Sequence, residues 1–286
     1  MAPLSSASEP SARSLGEPVI VVGPTTRCGT SLLQRLLNST GRIVIYGENF
    51  GLMQTLPDMI RNQERGGTTK RKVIAIARDM LRERTDFEAS SLFPPLDDYI
   101  AGLGEAFRGL LGVYAADAAK LGFPRWGLKH QIRGQNSFAL MPQLLPEARY
   151  VMIYRDLIDV ARSAKARWPG DFKGPEDYRR FARNWRDNVE TMRSLEGDRF
   201  LLFRYETFAA DPEAHLERLE SFTGLSHIDR AVMTRRINDQ PQYRLDAGGA
   251  ADAAYRKPAA LQPGEVKLLL SESGALYREL GYSPRA

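Results

Sequence analysis

The chain has 286 residues, of which 43% are hydrophobic and 26% are charged. This composition is ordinary for a globular protein, and no apolar run approaches the roughly 20 residues that span a bilayer. Forty Lys and Arg against 35 Asp and Glu give a net charge of +5. Because no long basic tract gathers this excess, it favours small anionic ligands, and we expect neither a membrane span nor a nucleic-acid partner.

The N-terminal residues are rich in Ser, Ala and Pro and lack the apolar core of a secretory signal. We therefore expect residues 1–17 to form a disordered arm and residues 18–286 to form a single domain. Cys28 is the one cysteine of the chain. A single cysteine excludes an intrachain disulfide and a thiolate metal cluster and agrees with a reducing compartment, so we expect a cytoplasmic protein.

Short β-branched runs alternate with longer helical patterns. The predicted strands are Val19–Val22, Ile43–Ile45, Trp126–Leu128, Tyr150–Ile153 and Phe200–Phe203. The predicted helices are Thr30–Asn38, Leu157–Arg167, Asp177–Leu195, Glu213–Thr223 and Gly264–Leu280. This alternation predicts an α/β protein with a P-loop-like three-layer fold, in which helices flank a central, mostly parallel sheet.

A long segment of helical character, at about residues 50–124, separates the second and third predicted strands. It is interrupted at Gly66-Gly67 and at Phe93-Pro-Pro95. In a doubly wound sheet such a segment lies over one edge or mouth of the sheet. We expect it to cover the acceptor side of a site there.

The stretch VIVVGPTTRCGTSLL, residues 19–33, runs from a strand through a glycine-containing turn into a helix. Backbone N–H groups and the positive end of the helix dipole then surround one point, which is an anion site. The triphosphate motif G-x-x-x-x-G-K-[ST] does not match, because Gly23 and Gly29 are one residue too far apart and Thr30 replaces the lysine. Arg27 supplies positive charge instead. Taken alone, the loop is better explained as a simple helix cap beside a solvated arginine, so a second motif is needed to favour an anion site.

A second polar segment follows the fourth predicted strand. Arg155 ends that strand, Asp156 is a candidate N-cap with Asp159 three residues on, and Ser163 lies about 10 Å further along the helix. Arginine and serine side chains on two such elements can hold one terminal phosphate.

The two segments together resemble the cofactor motifs of the sulfotransferases that use 3′-phosphoadenosine 5′-phosphosulfate (PAPS). The residues that carry the resemblance are Arg27-Cys-Gly-Thr-Ser31, Arg155 and Ser163 in an RDxxDVxxS setting, Arg204-Tyr-Glu-Thr-Phe208, Asp211-Pro and Phe222-Thr-Gly-Leu225. The loop is closer to those of bacterial and tyrosylprotein sulfotransferases than to the lysine-bearing loop of the cytosolic steroid and phenol enzymes. Cys28 stands where serine is more usual, a change that a loop acting through its backbone N–H groups tolerates.

The resemblance implies that PAPS is the donor, that adenosine 3′,5′-bisphosphate (PAP) is the product, and that no metal is needed, since the leaving group is already a stabilised phosphate. The first loop would hold the 5′-phosphosulfate, and Arg155 with Ser163 the 3′-phosphate. Tyr205 would touch the adenine, and Arg256 or Lys257 would close over the 3′-phosphate. The implied cofactor-binding residues are Arg27, Cys28, Gly29, Thr30, Ser31, Arg155, Ser163, Tyr205, Arg256 and Lys257.

Sulfuryl transfer requires that the acceptor hydroxyl lose its proton and that charge on the departing phosphate oxygen be neutralised. Arg27 and Lys129, which ends the third predicted strand, are the candidates for neutralisation. Glu48, in YGENF, resembles the catalytic glutamate segment of tyrosylprotein sulfotransferases. His130 resembles, more loosely, the histidine base of the cytosolic enzymes and has an intrinsic pKa suited to the task. We rank Glu48 first.

The sequence thus predicts a PAPS-dependent sulfotransferase that acts on a hydroxyl of a small molecule, a natural product or a peptide tyrosine. A small-molecule kinase of related P-loop fold and a non-enzymatic nucleotide-binding homologue are the alternatives. The missing loop lysine argues against the first, and the presence of Glu48, Lys129 and Arg27 argues against the second. The sequence specifies neither the acceptor nor the oligomeric state.

Overall fold

The computed structural model of the protein describes residues 15–48, 96–132, 137–195, 197–234 and 258–284, with short helical pieces between residues 53 and 82. The strands are β1 (Val19–Gly23), β2 (Ile43–Tyr46), β3 (Arg125–Gln131), β4 (Arg149–Tyr154) and β5 (Phe200–Arg204). Apart from those short pieces, the described α-helices are α1 (Thr30–Asn38), α2 (Leu96–Lys120), α3 (Met141–Leu144), α4 (Leu157–Arg167), α5 (Pro175–Ser194), α6 (Tyr205–Ala210), α7 (Pro212–Thr223) and α8 (Pro263–Glu279). Single 3₁₀ turns lie at Ser137–Leu140, Pro169–Asp171 and Arg230–Met233.

The five strands form one sheet in the order β2-β3-β1-β4-β5, and every described pairing is parallel. β1 lies at the centre, with β3 on one side and β4 on the other. The strand order therefore reverses beside β1, since the chain leaves β1 towards β2 and later returns across it to β4. In open α/β sheets, ligands bind at the carboxyl ends of the strands at such a point.

Side-chain alternation along each strand divides the core into two layers. In β1, Val19 and Val21 pack with α1 and α7, whereas Ile20 and Val22 pack on the opposite face with α2 and α3. A third apolar cluster joins α4, α5 and α8, with Trp185 at its centre. This arrangement of helix, sheet and helix confirms the predicted α/β three-layer class.

The predicted elements agree closely with the observed ones, because each strand run and each helical period is strong in the local sequence. All five strands are present, and each of the five predicted helices begins and ends within two residues of its expected bounds. Of the helical segment predicted over 50–124, the structure describes α2 and the short pieces before it, and its other residues lie mainly outside the described part. No described helix is long and apolar enough to cross a membrane.

The end of the arm predicted over residues 1–17 is packed against the sheet. Leu15 is 4% exposed, and its carbonyl accepts a hydrogen bond of 2.8 Å from the indole N–H of Trp126. Glu17 lies 3.5 Å from Arg149. Residues 15–17 thus differ from the predicted disordered arm, because Leu15 buries apolar surface in the core. Residues 1–14 lie outside the described part of the chain.

Candidate functional site

The β1–α1 loop ends at Gly29, which is the N-cap of α1 and has a φ of 110°. The first N–H groups of a helix have no intrahelical acceptor, and no side chain caps those of α1. A Cβ at position 29 would lie 2.8 Å from the Tyr205 ring and 3.1 Å from the Ile153 side chain. Glycine is therefore required both by the left-handed backbone and by the close approach of Tyr205. The result is a helix N-terminus that can accept an anion.

Arg27 lies in the same loop and has a φ of 66°, a left-handed conformation that is uncommon for residues other than glycine. Its Nε donates a hydrogen bond of 2.9 Å to the hydroxyl of Ser163 on α4. The guanidinium is thus directed towards α4, so the contact links the first predicted anion loop to the second predicted phosphate-binding segment.

The Cys28 side chain is fully buried and points into the protein. Its Sγ lies 3.3 Å from the Thr25 hydroxyl. Burial raises the pKa of the Cys28 thiol to about 11, although the Thr25 hydroxyl opposes this shift. The thiol is therefore neutral at physiological pH, and only the backbone of Cys28 can contribute to an anion site.

Asp156 is the N-cap of α4, as predicted, and its carboxylate accepts hydrogen bonds from the backbone N–H groups of Ile158 and Asp159. The second half of the predicted capping pattern is different. The N–H of Asp156 donates to Glu206 at 2.9 Å, and the Asp159 carboxylate instead lies 2.6 Å from the guanidinium of Arg162. Local spacing could not reveal Glu206, because it arrives from the end of β5.

Arg155, at the end of β4, packs over the ring of Tyr205 at 4.4 Å from its centroid. The guanidinium also lies 3.6 Å from the carboxylate of Asp159. Tyr205 in turn lies beside Gly29. Together with the Arg27–Ser163 bond, these contacts bring the first loop, the start of α4 and the end of β5 to one place at the carboxyl edge of the sheet.

Side chains of helix α5 bind the backbone of the β1–α1 loop and of the segment between β4 and α4. The Trp185 indole N–H donates to the carbonyl of Arg155 at 3.0 Å, and the Asn188 amide donates to the carbonyl of Pro24 at 2.8 Å. Both side chains are at most 1% exposed, and they lie on one face of α5 because they are three residues apart. The sequence had not identified Asn188, although an amide on the apolar face of an amphipathic helix is a detectable signal.

Glu48 and Lys129 form an ion pair on the other side of β1. The Lys129 ammonium lies 3.2 Å from a Glu48 carboxylate oxygen and donates to the Ser31 hydroxyl at 3.3 Å. The Gln131 amide donates to the same Glu48 oxygen at 2.7 Å. Gln131 was missed by the sequence reasoning, although the period-two alternation of a strand places it on the same face as Lys129. Ser31, Lys129 and Glu48 are thus gathered at the start of α1.

His130 is only 4% exposed and lies between Lys129 and Gln131 on β3. Neighbouring strand residues point to opposite faces, so His130 is directed to the face that carries Trp126 and Leu128. The structure therefore brings Glu48 and Lys129 together but separates His130 from them.

Thr30 opens α1 and is nearly buried, with its methyl group close to Gly23. Arg256 and Lys257 lie outside the described residues. Within the described ranges, no three His, Cys, Asp or Glu side chains are grouped so that they could hold a metal ion. The arrangement brings together an uncapped helix start, the Arg27–Ser163 pair and a carboxylate beside an ammonium, groups that can stabilise developing negative charge.

The sequence model of one protein family, described as "Sulfotransferase family", matches residues 18–229. No curated protein matches the chain. Among the solved structures similar to it are three from sulfotransferases. The sulfotransferase domain from the Synechococcus PCC 7002 olefin synthase is 17% identical, with 94% of this chain and 96% of that chain covered and a TM-score of 0.44. The sulfotransferase domain from the curacin biosynthetic pathway is 17% identical over 95% and 99%, with a TM-score of 0.46. Sulfotransferase STF9 from Mycobacterium avium is 15% identical over 94% and 78%, with a TM-score of 0.48.

Proposed function

This chain belongs to the sulfotransferase family, and on that premise we propose that it transfers the sulfuryl group of PAPS to an acceptor hydroxyl and releases PAP. The observation that carries the proposal is the hydrogen bond between Arg27 and Ser163. It connects the loop before α1 with the polar segment at the start of α4, which supports the proposal that two phosphate groups bind next to each other. A nucleotide that carries both a 5′-phosphosulfate and a 3′-phosphate has two anionic groups to match them.

The β1–α1 loop is proposed to hold the 5′-phosphosulfate. The support is the uncapped N-terminus of α1, where Thr30 and Ser31 follow a glycine with no room for a Cβ. Backbone N–H groups at a helix start stabilise anions without a metal ion. Arg27 adds a permanent positive charge, because its guanidinium stays protonated in proteins.

Arg155 and Ser163 are proposed to hold the 3′-phosphate, with Arg27 close to both positions. The Arg155 guanidinium is fixed from two sides, since it packs on Tyr205 and lies 3.6 Å from the Asp159 carboxylate. A side chain fixed in this way loses little conformational entropy when it binds a phosphate. The Tyr205 ring borders the same position and is proposed to contact the adenine.

Glu48 and Lys129 are proposed to carry the chemistry. Glu48 accepts the proton of the acceptor hydroxyl, whose oxygen then forms a bond to sulfur. The bond between sulfur and the bridging oxygen breaks, and the 5′-phosphate departs with the electron pair. Lys129, Arg27 and the N-terminus of α1 neutralise the charge that develops on that oxygen. His130 is the alternative base, but its side chain lies on the opposite face of β3.

The proposed function is tested by incubating the full chain with PAPS labelled in its sulfuryl group and a panel of phenols, alcohols, sugars and tyrosine peptides. The reaction is run in excess EDTA, with magnesium and ATP in a parallel series. We expect label transfer to at least one acceptor in EDTA, because no step requires a metal ion. Magnesium-dependent turnover of ATP without any sulfuryl transfer would instead support the kinase alternative.

A further inference from the structure

The ends of β4 and β5 remain side by side beyond the sheet. Tyr154 and Arg204 form the last register pair. One residue later, Arg155 packs over the ring of Tyr205 at 4.4 Å. These two residues also lie next to the β1–α1 loop, because the Tyr205 ring borders Gly29. The pair of Arg155 and Tyr205 is therefore the one that faces the proposed nucleotide site.

The following pair, Asp156 and Glu206, is held differently. The N–H of Asp156 donates to Glu206 at 2.9 Å, while the Asp156 carboxylate caps α4. Asp156 is 7% exposed, and burial raises the pKa of its carboxyl group. The buried Asp156 carboxylate, and the Glu206 carboxylate that accepts from its backbone N–H, both need further hydrogen-bond donors.

Two tyrosines near the C-terminus supply these donors. The Tyr277 hydroxyl donates to Asp156 at 3.0 Å, and the Tyr282 hydroxyl donates to Glu206 at 2.7 Å. Both tyrosines are buried, and their rings stack with centroids 5.2 Å apart. Asp156 follows Arg155 and caps α4, and Glu206 follows Tyr205 at the start of α6. Each tyrosine hydroxyl therefore binds the residue next to Arg155 or next to Tyr205.

Arg204 fastens the same region from the β5 side. Its guanidinium packs over the Tyr282 ring at 4.1 Å and donates to the carbonyl of Leu280 at 2.9 Å. The contacts involve a part of the chain beyond residue 229, where the family match ends. The family match therefore gives no role to these tyrosines.

We propose that the C-terminal segment, defined as α8 and residues 280–282, positions the nucleotide site. Tyr277 and Tyr282 are positioning residues: through Asp156 and Glu206 they hold Arg155 and Tyr205 where the 3′-phosphate and adenine bind. This inference rests on the proposed function. It predicts that loss of one buried hydroxyl weakens recognition of the 3′-phosphate, although neither tyrosine touches the nucleotide.

The test compares two tyrosine variants that each lose one bond to a carboxylate. Tyr277→Phe removes the bond to Asp156. Tyr178→Phe is the matched control, because the Tyr178 hydroxyl on α5 donates to Glu265 on α8 and so also anchors α8, without reaching Asp156 or Glu206. Dissociation constants for PAP and AMP are measured by calorimetry, and the free energy of unfolding is measured by denaturant titration.

We expect Tyr277→Phe to weaken PAP binding by about 3- to 30-fold, the usual range for coupling through neighbouring residues. Because the effect is transmitted through Arg155, AMP binding changes less, so the preference for PAP, given by the ratio of the AMP dissociation constant to the PAP dissociation constant, falls. Both tyrosine variants have a lower free energy of unfolding, but Tyr178→Phe keeps the wild-type preference for PAP over AMP. In turnover assays, Tyr277→Phe raises the KM for PAPS more than it lowers kcat.

Tyr282→Phe is also expected to lower the preference for PAP over AMP, and it serves as a second, independent test if Tyr277→Phe does not fold. An unchanged preference for PAP over AMP in the folded Tyr277→Phe or Tyr282→Phe chain overturns the inference. An equal loss of that preference in Tyr178→Phe overturns it as well. A wild-type chain that does not prefer PAP over AMP is a different failure, because it removes the proposed function itself.

Discussion

Arg27 and Ser163 are joined by a hydrogen bond of 2.9 Å although 136 residues separate them in the sequence. Arg27 lies in the loop after β1, and Ser163 lies on the second turn of α4. The sequence predicts that Arg27 binds the 5′-phosphosulfate and that Ser163 binds the 3′-phosphate. In the structure the two side chains are in direct contact. The two side chains should therefore contribute to binding as a unit, and their effects should not be additive.

This non-additivity is the first prediction. Ser163→Ala should weaken PAP binding by about 10-fold, since it removes both a proposed phosphate contact and the hydrogen bond that Arg27 donates to Ser163. In an Arg27→Ala background the same change should cost clearly less. A double-mutant cycle by calorimetry measures the difference. Equal costs in the two backgrounds would show that the two residues act independently.

The second prediction distinguishes the two candidate bases. Glu48→Gln should lower kcat by about 10²–10⁴-fold and leave the PAP dissociation constant nearly unchanged, because an amide of the same shape cannot accept the proton. His130→Asn should cost much less, since His130 faces the other side of β3. Steady-state kinetics measure both, with Glu147→Gln, a carboxylate paired with Arg108 far from the site, as the control. An active Glu48→Gln enzyme beside an inactive, folded His130→Asn enzyme would reverse the assignment.

The third prediction concerns the glycine at the start of α1. Gly29→Ala adds a Cβ that meets the Tyr205 ring at 2.8 Å on a backbone with a φ of 110°, so PAP binding should be lost and the free energy of unfolding should fall by about 1–3 kcal/mol. Gly41→Ala is the control, because Gly41 has a φ of 64° and nothing within 4 Å of the added Cβ. It should cost about 1 kcal/mol and leave PAP binding intact. Preserved PAP affinity in Gly29→Ala would argue against an anion site at this helix start.

The fourth prediction follows from the buried thiol. Because the pKa of Cys28 is raised to about 11, only about 10⁻³ of the thiol is ionised at pH 8, and alkylation of the native chain by iodoacetamide should be slow. The rate should rise with pH towards the pKa and should jump when the chain is unfolded. Cys28→Ser should bind PAP within about 3-fold of wild type, because the loop acts through its backbone. Rapid labelling at pH 8 in the folded state, monitored by mass spectrometry, would contradict this description.

The sequence predicted those features that depend on local pattern. The five strands follow short apolar runs, which are β-branched in β1 and β2, and the cap of α4 follows from Asp156 at the end of a strand. It could not supply Glu206 or Tyr277, because each reaches the site from an element distant in the chain and only the packing of α6 and α8 brings them there. Asn188 was detectable as an amide on the apolar face of α5, but its partner, the carbonyl of Pro24, was not. One discrimination was within reach: Lys129 and His130 are neighbours on a strand, so they cannot face the same site.

Recognition of a nucleotide with both a 5′- and a 3′-phosphate is measured by titrating the wild-type chain with PAP and with AMP in a calorimeter. PAP should bind at least about 10-fold more tightly, the value of one charge-assisted phosphate contact. Arg155→Ala should remove most of that preference, whereas Arg199→Ala, a surface arginine beside Phe200, should retain it. Equal affinities of the wild-type chain for PAP and AMP would show that the site does not recognise the 3′-phosphate.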